Sequence, residues 1–261
     1  MTARIIADAQ IFFLIFVRVF ALIQTAPLLS SESIPQIAKV GLAFFSGFAV
    51  FPWVAAGYVV PDFGLEYAML AVGEAMIGII YGFILSTVFA VFQTSGQFFS
   101  LQMGFGASQV FDPLAQIEIP LMGQFLNIIA MFVFVGTMGF QKIFLSGVIR
   151  SFETVRAIEI AAQREDLIAM MLVTFSRMFE NALVLSFPIL GTLFLVSVTM
   201  GLLAKAAPQM NLLMLGFPLS IGVAFLMIFL TMPYLVAAFD RLLDTGFGAL
   251  MLIRTIPEAS P

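Results

Sequence analysis

The chain has no cysteine and no histidine. Without thiols there are no disulfides and no thiolate nucleophiles; without imidazole there is no serine–histidine–acid triad. Metal sites built on either ligand are excluded for the same reason. Charge is scarce as well: 10% of residues are Asp, Glu, Lys or Arg, against about 25% in a typical soluble domain. The 15 acids and 11 bases leave a net charge of −4 and no basic patch, so nucleic acid is not an expected partner. The sequence contains no nucleotide-binding motif. No pair of carboxylates has the spacing of an acid–base couple, so no catalytic residue, cofactor or metal is expected.

What is abundant is apolar surface. The 261 residues are 62% hydrophobic and include 31 phenylalanines and 16 methionines, with a mean hydropathy of +1.11. A water-soluble fold of this length cannot hide that much apolar area. Lipid, or a large apolar interface with other subunits, must take its place.

Uncharged runs cover Val40–Pro61, Ala75–Phe111, Ile119–Gln141, Asn181–Ala204 and Ala206–Phe239. A spanning helix needs about 20 apolar residues. Asp8 and Arg18 interrupt the first apolar run, which makes Ile5–Leu29 a retained first helix and not a cleaved leader. The sequence therefore predicts an all-α, polytopic membrane protein of six hydrophobic helices, at roughly 9–29, 38–60, 66–103, 121–149, 168–204 and 210–238. A short amphipathic tail, Asp240–Ile256, is expected to follow. The third and fifth helices exceed a span and must tilt, kink or extend beyond the bilayer. Pro188 is the expected kink in the fifth, and Pro218 and Pro233 are expected to bracket the sixth. Arg4, Arg150, Arg156, Arg164, Arg241 and Arg254 fall on one side, and Lys39 and Lys205 on the other. If all six segments span, that split puts both termini in the cytoplasm. The charged stretch Arg150–Asp166 divides the chain into halves of four and two hydrophobic helices, residues 1–150 and 151–261.

Within the third helix Gly78, Gly82, Ser86, Ala90 and Thr94 recur every fourth residue, and Gly96, Ser100, Gly104 and Ser108 continue on a displaced face. Such a stripe lets another backbone approach closely, either from this chain or from a neighbouring subunit. Gln93, Thr94, Ser95, Gln97, Ser100, Gln102, Ser108 and Gln109 make the same helix polar without charge. They suit a water-filled path or hydrogen bonds between helices. Gly104–Leu121 reads as irregular backbone, because Gly104 and Gly106 weaken a helix, Asp112-Pro113 favours a turn and Pro120 suits a helix start. With Phe105, Val110 and Phe111 the segment is apolar, so it is either a packed re-entrant loop or an occluding one. Arg18, Glu74, Lys142, Arg177 and Glu180 are ionisable groups inside apolar segments, where function is the default hypothesis. Arg177 and Glu180 are spaced to pair along one helix face, and Arg18 and Glu74 are candidates to pair across helices.

The run Gly96-Gln97-Phe98-Phe99-Ser100-Leu101-Gln102-Met103-Gly104-Phe105-Gly106, followed by Phe111-Asp112-Pro113, resembles the central signature of the FliR family of flagellar and type III secretion export-gate subunits. A second block agrees: Gly201-Leu202-Leu203-Ala204-Lys205-Ala206-Ala207-Pro208-Gln209-Met210-Asn211, then Gly216-Phe217-Pro218-Leu219. A weaker third block is Arg18 with Pro27, Pro35 and Lys39. The chain departs from the family at Ser220, where a basic residue is common, and near Gln141, where a histidine is common.

The resemblance implies a bacterial inner-membrane protein at the centre of the flagellar basal body, present once in a ring-like hetero-oligomer with FliP-like and FliQ-like subunits and FlhB. It implies a FliP-like first half and a FliQ-like second half. It implies a channel for unfolded export substrates, plugged by Gly104, Phe105, Gly106, Val110, Phe111, Asp112, Pro113 and Pro120. Subunit packing would fall to Gly78, Gly82, Ser86, Gly96, Ser100, Pro208, Gln209, Asn211, Gly216 and Pro218. The competing readings are a small-molecule or ion transporter, for which inverted repeats are wanting, and an intramembrane enzyme, which lacks paired catalytic residues.

Overall fold

The computed structural model describes residues 2–55, 58, 60, 61, 64–105, 121–154, 164–209 and 211–252. Among these, every regular element is helical. Helix α1 spans Thr2–Thr25, α2 Gln36–Val54, α3 Leu65–Gln102 and α4 Leu121–Gly136. Three short pieces follow: α5 Gly139–Lys142, a π-helix Ile143–Ile149, and α6 Arg150–Thr154. The long helices α7, Arg164–Ala206, and α8, Leu212–Leu252, complete the chain. Among the described residues, five helices are long and apolar enough to cross a membrane, or six if the bent pair on either side of residues 137–138 forms one span.

Three expected boundaries are corrected. The fourth helix is not continuous: Met138 takes a left-handed conformation, φ +57°, between Gly136 and Gly139. The sixth helix does not stop before Asp240; it runs to Leu252, so the tail up to that residue is its continuation. Leu235, Phe239 and Leu243 recur at helical spacing and are all buried, which carries the helix past the charges of Asp240 and Arg241. Pro218 and Pro233 lie inside this helix and do not bracket it, and α7 runs on through Pro188. Each proline removes one backbone hydrogen bond at a cost of about 3 kcal/mol in a soluble helix. A long apolar helix has no better alternative, because an unwound backbone facing lipid leaves several polar groups unpaired.

The chain divides into two compact units, each drawing on both halves of the sequence. The first comprises residues 1–87, 135–174 and 242–261. Its centre is a hairpin of α1 and α2 with the first part of α3. Pro35 opens α2, and buried Lys39 donates through Nζ to the Ser30 carbonyl at 2.9 Å, which fastens the connecting turn. Phe12 packs edge-on against Phe44, 5.1 Å between ring centres. Helix α3 runs parallel to α1 in steady register: Tyr67 donates to the Gln10 carbonyl at 3.0 Å, Arg18 meets Glu74, and Ser86 donates to the Thr25 carbonyl at 2.8 Å.

The second unit comprises residues 88–134 and 175–241. Its core is aromatic. Phe89 lies 5.5 Å from Phe134 and 5.3 Å from Phe239, and Phe92 lies 5.1 Å from Phe239, all edge-on. Such pairs add about 0.5–1.5 kcal/mol each beyond area burial. The end of α3 runs antiparallel to α4, with Gly96 facing Gly123.

Candidate functional site

The polar centre of the first unit is built on one guanidinium. Arg18 projects from α1 and is 1% exposed; Glu74, on α3, is 0% exposed. Arg18 Nε donates to Glu74 Oε2. Its Nη1 donates to Ser151 Oγ at 3.2 Å, and the guanidinium carbon stands 3.8 Å over the ring of Phe152. Ser151 in turn donates to the Val148 carbonyl at 2.7 Å, at the end of the π-helix. The hydroxyl of Tyr58, in the connection between α2 and α3, donates to Glu74 Oε1. Burial first, and the Glu74 carboxylate second, push the Tyr58 phenol above its ordinary range, so it stays a donor.

This arrangement binds four separate stretches of chain through one buried ion pair. A buried charge is tolerated only when paired and hydrogen-bonded. The sequence supplied Arg18 and Glu74 as candidates; Tyr58, Ser151 and Phe152 carried no signal of their own. Among the described residues no cluster of acids could hold a metal ion. The network is equipped to fix helices.

The other ionisable candidates lie elsewhere. Lys142 pairs with Asp244 at 3.0 Å on the surface of the first unit. Arg177 and Glu180 are exposed, and the pairing that their spacing allows is not made among the described residues. They sit on the side of α7 away from its buried stripe.

The small-residue stripe is filled from within the chain at Gly78, Gly82, Ser86 and Gly96, the first of the two readings that its spacing leaves open. A Cβ on Gly78 would meet the Arg18 carbonyl and Ala21, and one on Gly82 would meet the Thr25 side chain. Ser86 bonds the Thr25 carbonyl. A Cβ on Gly96 would come within 2.6 Å of Gly123 Cα, and one on Gly123 within 2.7 Å of the Gln93 carbonyl. Ser100 is buried too. These positions let α1 and α4 approach α3 at backbone distance. By contrast Pro208, Gln209, Asn211 and Pro218 are exposed, and the space beside Gly216 is open. Asn211 opens α8, its Oδ1 accepting from the Met214 amide at 3.3 Å.

Among the described residues at the polar end of α3, Ser95 Oγ and Gln102 Oε1 are buried without a partner, and Gln97 is exposed. Two residues past the end of α3 stands Gly104, whose φ of +93° only glycine adopts freely. The ring of Phe217 lies against it, in the space a Cβ would take. The Gln-Met-Gly-Phe and Gly-Phe-Pro blocks, more than 100 residues apart in sequence, therefore meet at one contact. Phe105, next in line, is half-buried. The remaining loop positions, Gly106, Val110, Phe111, Asp112, Pro113 and Pro120, lie outside the described residues, as does Ser108.

Comparison with known proteins agrees with these blocks. The family described as "Bacterial export proteins, family 1" matches residues 9–246. The flagellar biosynthetic protein FliR of Bacillus subtilis (strain 168) is 31% identical over 225 residues, covering 85% of each chain. FliR of Escherichia coli (strain K12) is 31% identical over 243 residues, covering 92% of this chain and 91% of its own. FliR of Borreliella burgdorferi is 29% identical over 187 residues, 71% of this chain and 70% of its own.

Proposed function

We propose, from the premise that the chain belongs to the bacterial export proteins, family 1, that it is a non-catalytic core subunit of the flagellar protein export gate in the bacterial inner membrane. The observation that carries this reading is the match along almost the whole chain to proteins named flagellar biosynthetic protein FliR. Its apolar helices and fixed interior supply a scaffold and no reactive group. A small-molecule transporter is not favoured, since the matched relatives are export proteins.

In this role the chain joins FliP-like and FliQ-like subunits and FlhB, as one copy at the centre of the basal body. Residues 1–150 serve as the FliP-like part and 151–261 as the FliQ-like part. The channel passes unfolded flagellar proteins, and the segment from Gly104 to Pro120 plugs it when none is in transit. Glycines at 104 and 106 and the bulk of Phe105, Val110 and Phe111 suit a dewetted apolar seal. The exposed turn through Pro208, Gln209 and Asn211 is free for subunit packing.

The plug is tested by deleting residues 106–112 in an otherwise intact chain and measuring ion permeability of cells expressing the assembled gate. The reading requires a leak with assembly retained. Unchanged permeability with normal assembly contradicts it.

A further inference from the structure

We infer that residues 143–154 form a two-register switch. The π-helix keeps one surplus residue only while Arg18 grips its far end; on release it rewinds as α-helix and swings residues 150–154 about its axis. That the movement serves export rests on the export-gate reading; the switch itself does not.

A π turn is an α turn carrying one residue too many, a rare winding found mostly as single turns and often at functional sites. Here it runs for seven residues, Ile143–Ile149, and the Arg150 amide closes it on the Leu145 carbonyl, five residues back. Nothing in the run Ile-Phe-Leu-Ser-Gly-Val-Ile demands this, since it holds no proline to block an α hydrogen bond. The cause therefore lies in what holds the two ends.

At the start, Lys142 pairs with Asp244 at 3.0 Å, an exposed pair of little strength. At the end, Arg18 Nη1 donates to Ser151 Oγ at 3.2 Å, and its guanidinium carbon stands 3.8 Å over the Phe152 ring. Between them Gly147 also faces α1, since a Cβ there would lie 3.3 Å from Leu22 Cδ1. Gly139, Ile143, Gly147 and Ser151 are all buried and stand four apart. In an α-helix of 3.6 residues per turn, such a row drifts by about 40° at each step. The longer loops of π winding turn less per residue and take that drift back, so Gly147 and Ser151 face α1 together.

Two opposed terms therefore set the register. The α ladder favours rewinding, and the Arg18 contacts favour the π turn. Losing the surplus residue from the winding rotates Ser151 and Phe152 by one residue's worth, about 100°, and breaks both contacts at once. Release strands no charge, because Arg18 keeps Glu74 in either register. That separates the switch from the ion pair: Glu74 holds the guanidinium in place, and Ser151 and Phe152 come and go against it.

The chain has no cysteine of its own, so cysteines introduced at Ile5 and Arg150, both exposed, take spin labels cleanly. The distance between the labels in the full chain in detergent reports the register. One distance is expected in the otherwise wild-type chain. A second appears in Ser151→Ala, which removes the hydroxyl that Arg18 holds. Deleting Leu145, which is 55% exposed, takes out the surplus residue and leaves α-helix with both ends in register. That variant keeps the wild-type distance and a melting temperature no lower than wild type; in cells it assembles, but export is lost because the second register is gone. A single distance in Ser151→Ala overturns the switch, as does a Leu145 deletion that fails to fold. A deletion that assembles and exports at the wild-type level overturns its role in export. A wild-type chain that restores no export to cells lacking their own copy overturns the export-gate reading, while the label distances still decide the switch.

Discussion

The ring of Phe217 occupies the space in which a Cβ on Gly104 would sit. Gly104 is left-handed, at φ +93°, so any side chain there meets both backbone strain and the ring. Gly104→Ala is expected to destabilise the purified protein by more than the roughly 1–3 kcal/mol of backbone strain alone. With Phe217→Ala already present, the same change should cost less, because the ring is gone and only the strain remains. A double-mutant cycle on thermal unfolding in detergent measures the difference; strict additivity would mean the two residues are not coupled.

The buried pair of Arg18 and Glu74 gives an asymmetric expectation. Arg18→Ala strands a fully buried carboxylate and should cost about 3–5 kcal/mol, near the limit of what the chain tolerates. Replacing both, as Arg18→Met with Glu74→Leu, removes the stranded charge and should recover most of the loss. Folded yield and melting temperature read the order single below double; a double variant worse than Arg18→Ala would mean the pair does more than satisfy itself.

The glycines divide by what surrounds them. Gly96→Ala drives a Cβ to within 2.6 Å of Gly123, and backbone on both sides leaves no soft neighbour to yield. We expect a loss of about 1–3 kcal/mol as overpacking. Gly222→Ala, with nothing within 4 Å, should be neutral or stabilising by about 0.5–1 kcal/mol, since alanine favours helix. Melting temperatures of the isolated chain check both, and equal effects would contradict the close approach of α3 and α4.

Tyr58 supplies a pH dependence. Its phenol is raised above the ordinary value of 10.0 by burial and by Glu74. Between the unfolded and folded values the folded state holds a proton the unfolded state has lost, so the contribution is complete below about pH 10 and is lost as pH rises further. Stability of the wild-type chain should therefore fall more steeply above pH 10 than that of Tyr58→Phe. Parallel curves would remove Tyr58 from the network.

Much of the fold was legible because uncharged runs of more than 20 residues leave a helix few alternatives. Boundaries were less so. Asp240 and Arg241 read as the end of an apolar run, yet Leu235, Phe239 and Leu243 continue a buried stripe through them. The break at residues 137–138 was announced by Gly136 and Gly139, but two glycines inside an apolar run fit a tolerated helix equally well. At the candidate site, the four-residue spacing of Gly78, Gly82 and Ser86 revealed a close approach but not which helix makes it, since periodicity is a property of one helix alone. The approaching helix is α1, of the same chain. Arg18 and Glu74 stood out as charges in apolar surroundings. Tyr58, Ser151 and Phe217 did not, because a hydroxyl or a ring in such a sequence is ordinary until its neighbour is known.

Native mass spectrometry of the chain, expressed in detergent with and without its genomic neighbours, tests the central claim most directly. The export-gate reading predicts one copy of this chain inside a large hetero-oligomer when the neighbours are present. A stable monomer or homodimer that ignores those neighbours would contradict it.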